Sequence, residues 1–145
     1  MGELLLLTNN PLVLEKPGTT PVKAVEGKGL AAVFETAMAL VQSGYRLIST
    51  PLPPNVPLIR APYRSLLLER NERKYDARSI LALEKAGQTV AKLGSSVYEE
   101  SQALDSAFID REILLRAFRE CGYEAPLEPA GKAGQNGFEA NQAGG

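Results

Sequence analysis

The stretch Leu4-Leu5-Leu6-Leu7-Thr8-Asn9-Asn10-Pro11 decides how this chain folds. Four consecutive leucines leave no polar face, and an unbroken apolar run of this length fits a β-strand covered on both sides. Thr8, Asn9, Asn10 and Pro11 are turn formers, so the strand, residues 3–8, ends there. Covering both faces of such a strand calls for helices, and the sequence beyond supplies them.

Residues 11–16 form a short helix with proline in its first turn, where the missing N–H is tolerated. Pro17-Gly18 stops it, and residues 22–26 make a second strand. Gly27-Lys28-Gly29 then precedes Leu30, Val33, Phe34, Ala37, Leu40 and Val41, whose spacing marks one face of a helix closed by Gly44. A third strand occupies 45–49. Pro51, Pro53, Pro54 and Pro57 make the following loop irregular, since each removes a backbone donor. A fourth strand spans 64–69.

The second half is helical. Asp76 caps a helix with Ile80, Leu83, Ala86 or Gly87, and Val90 along its buried stripe. Gly94-Ser95-Ser96 allows a break before a last helix over 101–121, recapped at Asp105 or Asp110. This helix turns Phe108, Ile109, Ile113, Leu114, Ala117, Phe118 and Cys121 inward and ends at Gly122.

These elements predict an α/β fold, a small two-layer or three-layer sandwich with a mainly parallel four-stranded sheet and C-terminal helices. The loop before the last strand leaves that strand able to run antiparallel. Residues 1–123 form a single domain. From 124 to 145 only Leu127 and Phe138 are large and apolar, which predicts a disordered C-terminal tail.

Composition narrows the function classes. The 145 residues carry 16 basic and 17 acidic side chains, a net charge of −1, so no overall field draws nucleic acid or an anionic membrane. The leucine run is too short for a signal peptide or a span, which places the protein in the cytoplasm. Histidine is absent, excluding Ser/His and Cys/His catalytic pairs and common zinc sites; no metal or cofactor is expected. The lone Cys121 reads as a core or half-buried residue.

Chemistry-bearing residues gather in two segments. Thr8, Asn9 and Asn10 follow the first strand at its carboxyl end, where open α/β sheets bind ligands. Tyr63, Arg64 and Ser65, with Arg60 nearby, offer guanidinium and hydroxyl donors suited to a carboxylate or a phosphate. For each segment a structural reading stands beside the ligand-binding one: the asparagines cap a helix or hold a left-handed turn, and the arginines are solvated. If the fourth strand is antiparallel to the first, the two segments meet. Gly27-Lys28-Gly29 lacks a nucleotide-binding pattern and reads as a plain turn. Residues 69–74 read as a solvated turn. Glu99-Glu100 carries no metal role, and no partner supports catalysis by a lone carboxylate.

Residues 7–13 (LTNNPLV), 44–52 (GYRLISTPL) and 62–66 (PYRSL) resemble the GrdX family. That family comprises small accessory proteins encoded beside the glycine, sarcosine and betaine reductase systems of anaerobic bacteria. The resemblance covers about residues 3–120. Around Pro51-Leu52 the family pattern has a histidine before and Gly-Ser after, where this chain has Thr50 and Pro53-Pro54. The resemblance implies an accessory role with components of a reductase complex as partners and supplies no catalytic residues; with the lack of histidine and of a reactive-thiol arrangement, it points to a non-catalytic protein. The residues alone keep a second class open: a small-molecule enzyme or sensor that binds a small carboxylate at Thr8, Asn9, Asn10, Tyr63, Arg64 and Ser65.

Overall fold

A computed structural model describes residues 3–16, 18–27, 29–52, 62–93 and 100–122. The tail 124–145, most of the proline loop and the segment 94–99 lie outside the described residues. The chain runs β1 (Leu4–Thr8), α1 (Pro11–Glu15), β2 (Val22–Ala24), α2 (Ala31–Ser43), β3 (Tyr45–Leu47), β4 (Ser65–Arg70), α3 (Ala77–Leu93) and α4 (Glu100–Glu120).

The strands order as β2-β1-β4-β3. β1 pairs parallel with β2 and antiparallel with β4, and β4 pairs antiparallel with β3. The expected mainly parallel sheet is therefore corrected to a mixed one, with two of its three pairings antiparallel. Because β3 and β4 pair antiparallel, the chain reverses direction between them, and β4 inserts in the middle of the sheet. Its leucines suit that position, because a central strand loses both faces to the core. Leu66 and Leu68 pack with Leu7 against α2 and α3. Leu67 packs on the other side with Leu6, Val13, Leu114, Leu115 and Phe118, from α1 and α4. The result is a three-layer sandwich.

Local signals act where the sequence put them. Asn10 caps α1, its side chain accepting from the Leu12 N–H, and Pro11 opens the helix. Gly44 ends α2 at φ 117°, a left-handed conformation that a side chain would strain. Asp76 accepts from the Ser79 N–H and hydroxyl at the start of α3. Ser79 Oγ in turn accepts from the Leu47 N–H, covering the outer edge of β3. No helix among the described residues is long and apolar enough to cross a membrane.

Two expectations for α4 fail. Phe108 and Ile109 are 48% and 38% exposed, not core residues. Asp110 is not a cap but a mid-helix residue, 3% exposed. The two corrections share a cause. The buried stripe of α4 runs through Ala103, Ala107, Asp110, Leu114 and Phe118, and an inward Asp110 turns Phe108 and Ile109 outward. Residues 69–74 are also only partly a solvated turn: Glu69 lies in β4, buried and paired with Arg46 at 2.6 Å.

Candidate functional site

β1 and β4 run antiparallel with Thr8 opposite Ser65, so the end of one strand and the start of the other share a sheet edge. This register brings the two polar segments together. Period-two alternation then sends Thr8 and Ser65 to the α4 face, the face of Leu6 and Leu67. There they meet Asp110.

Asp110 is the hub. Its Oδ1 accepts from the Ser65 N–H at 3.0 Å and faces Arg64 Nη1 at 3.5 Å. Its Oδ2 accepts from Ser65 Oγ at 2.7 Å and Asn10 Nδ2 at 2.9 Å. Because the carboxylate only accepts, the Ser65 hydroxyl donates to it, and the Thr8 hydroxyl therefore donates to Ser65 at 2.7 Å. Thr8 Oγ1 is then left to accept from the Asn10 N–H at 2.9 Å. Every proton in this relay has one consistent direction.

Asn10 ties α1 to α4. Its Oδ1 caps α1, and its Nδ2 donates both to Asp110 and to the Ala107 carbonyl of α4 at 2.7 Å. Asn9 points to the opposite side of β1. Its Nδ2 lies within 2.9 to 3.2 Å of the Pro62, Gly29 and Gly27 carbonyls, and its Oδ1 accepts from the Arg64 N–H. The Gly27–Gly29 turn thus presents carbonyls to Asn9, and the Gly29 N–H is taken by Pro62. That geometry matches a plain turn.

Arg64 is 3% exposed. Its Nε donates to the Pro51 carbonyl at 2.9 Å and its Nη2 to the Thr50 carbonyl at 3.1 Å. Burial pushes the guanidinium pKa below its usual value, and the Asp110 charge opposes that shift. Through these two bonds the side chain that the sequence pattern offers as a carboxylate clamp holds the entrance to the proline loop. Tyr63 sits half-buried next to this cluster.

Of the six sequence-selected residues, Thr8, Asn9, Asn10, Arg64 and Ser65 form one buried network, each at most 5% exposed. Asp110 was missed as its centre. The available signal was a charged residue spaced three and four positions from Ala107 and Leu114 on the buried stripe, a place where a carboxylate needs partners. One residue further, Arg111 is also 3% exposed, and its Nη1 has no hydrogen-bond partner among the described residues; Glu112 Oε2 lies 3.8 Å from it. Cys121 is half-buried, its Sγ 3.4 Å from the Ile48 carbonyl, and burial together with Glu120 and Glu69 pushes its thiol pKa up. A raised pKa lowers the thiolate fraction, which disfavours nucleophilic chemistry.

No curated protein and no solved structure matches this chain. The model of the family described as GrdX-like protein matches residues 5–119, which takes in both polar segments and nearly all of β1 and α4. On that match, the chain belongs to the GrdX-like protein family.

Proposed function

We propose that this chain is a non-catalytic accessory protein of an amino-acid reductase system of the glycine reductase type, acting through protein contacts. Family membership supplies the context. One observation carries the non-catalytic part: the polar groups best placed for chemistry are spent on one another. Asp110 has four hydrogen-bonding contacts, and Arg64 donates to two backbone carbonyls while facing Asp110. A catalytic acid or nucleophile needs an accessible reacting atom, and these are buried. The network ties the Gly27–Gly29 turn, Thr50-Pro51, Pro62 and α4 to the ends of β1 and β4, so it acts as scaffolding for the surface loops above it.

A small-carboxylate enzyme or sensor at the same edge would require Arg64 to exchange the Thr50 and Pro51 carbonyls for the ligand. The test is retention of purified reductase components by the immobilised chain, alongside calorimetric titration with glycine, sarcosine and betaine. Component retention without heat from the three ligands supports the accessory role. Saturable heat from any of them, lost in Arg64→Ala, would transfer the function to the carboxylate-binding reading.

A further inference from the structure

The opposite end of β4 carries a different kind of surface. After Arg70 the chain turns from β4 toward α3, and residues 69–74 with Ser43, Gly44 and Arg46 line an open groove of about 790 Å³. Its charged walls are Arg46, Arg70, Arg73 and Lys74 against Glu69 and Glu72. The chain as a whole has a net charge of −1, so this excess of positive charge is local. Glu69 is already neutralised by Arg46, and Arg70 lies 5.3 Å over the Tyr45 ring. Arg73 and Lys74 are exposed and have no ion-pair partner among the described residues.

We propose that this groove docks an acidic segment of a partner protein. The inference deepens the accessory reading above and rests on it for the partner's identity. Cations near a helix C-terminus can serve only to answer the helix dipole. Here the carbonyls at the end of α2 are already occupied: Val41 accepts from Gly44 and Tyr75, and Gly44 accepts from Asn71. Those same bonds pin the backbone of the turn at Asn71 and Tyr75 against the end of α2. The clamp also keeps Tyr75 at φ 59°, a conformation rare for a bulky side chain, with its ring 61% exposed beside the basic run. An exposed tyrosine next to a basic groove offers a partner an amphipathic contact.

The groove is open and polar, without the convergent buried donors of a small-molecule pocket. Single exposed ion pairs are weak. A ligand gains from this surface only by engaging several cations at once, as a run of carboxylates on a peptide does.

The experiment follows a fluorescein-labelled hexaglutamate peptide by anisotropy with the full chain. Binding is expected at about 50 mM salt and loss at about 500 mM, where exposed charges are screened. Arg73→Glu/Lys74→Glu should weaken it about tenfold or more by making two contacts repulsive. Lys85→Glu/Arg116→Glu, the same charge change on exposed positions of α3 and α4, should leave it unchanged. Equal peptide binding by the groove variant and the wild type overturns the proposal, as does preference for inorganic phosphate or ATP over the peptide. Capture of purified reductase components is measured in parallel. Failure of the wild-type chain to capture any component sinks the accessory reading while the peptide result still decides the groove. Capture by the wild type and the groove variant alike sinks the groove.

Discussion

The two ends of β4 hold arginines of opposite fate. At its start Arg64 is buried, with Nε and Nη2 held by carbonyls and Nη1 beside Asp110. Past its end, about 17 Å away for a strand of this length, Arg73 and Lys74 stand in solvent on a clamped turn. Residue type is the same; environment differs. At the buried end the polar side chains are engaged in holding the fold, whereas at the exposed end Arg73 and Lys74 have no ion-pair partner among the described residues. A polar cluster at a sheet edge is therefore evidence of a binding surface only when some of its donors remain unspent.

This contrast predicts a graded response to substitution. The largest effect belongs to Asp110→Ala, which strands the Arg64 guanidinium in a buried position; removing one partner of a buried charge pair costs about 3–5 kcal/mol. Denaturant unfolding reads this directly, and a loss below about 1 kcal/mol would show that Asp110 is not the hub. Phe118→Ala should cost a similar amount, about 3–5 kcal/mol, because its ring is fully buried. Phe108→Ala, half exposed on the same helix, should cost under about 1 kcal/mol. Reversal of those two values would mean that α4 is rotated and that Asp110 faces outward.

Asn10→Ala removes a helix cap and two donors to α4, and should cost about 1–3 kcal/mol. Stability unchanged by this substitution would move Asn10 from scaffold to free ligand-binding residue and erase the contrast between the two ends. Asp76→Ala should cost about 1 kcal/mol at neutral pH, through loss of the α3 cap. Its effect is tied to pH. The hydrogen bond from the Ser79 hydroxyl holds the Asp76 carboxyl below its usual range in the folded state. Asp76 therefore contributes stability above the unfolded pKa near 3.9, and that contribution is lost as pH falls through the lower folded value. Wild-type and variant unfolding midpoints should converge in that acid window; a gap that widens there would refute the linkage. The smallest effect is expected for Arg73→Glu/Lys74→Glu, within about 0.5 kcal/mol of the wild type, since both are surface residues. A larger loss would make the basic turn structural.

Much of this architecture was legible from short-range chemistry. The leucine runs 4–7 and 66–68 announced strands covered on both faces, and Asn10, Gly44 and Asp76 announced helix ends. The two polar segments stand out in the sequence by their donors and by their place at the strand ends, and the antiparallel pairing of β1 with β4 brings them together. What those donors do could not be read the same way. Periodicity places Phe108 and Ile109 inward because it weighs apolarity alone, and takes no account of a carboxylate that meets Asn10, Arg64 and Ser65 at the ends of β1 and β4.

By itself, the sequence determined which segments become strands and helices and where the helices stop, because those outcomes depend on residues within one or two turns of each other. Family membership is likewise carried by the order of residues along the chain. Tertiary structure alone decided that β4 enters the middle of the sheet, that α4 turns Asp110 inward, and that Arg64 closes on Thr50 and Pro51 while Arg73 stays in water. Asp110 meets Ser65 across 45 residues and Asn10 across 100, and no local pattern encodes the partner of a group so distant. Burial, which sets whether a charge must be paired or stays free to bind, is a property of the packed whole.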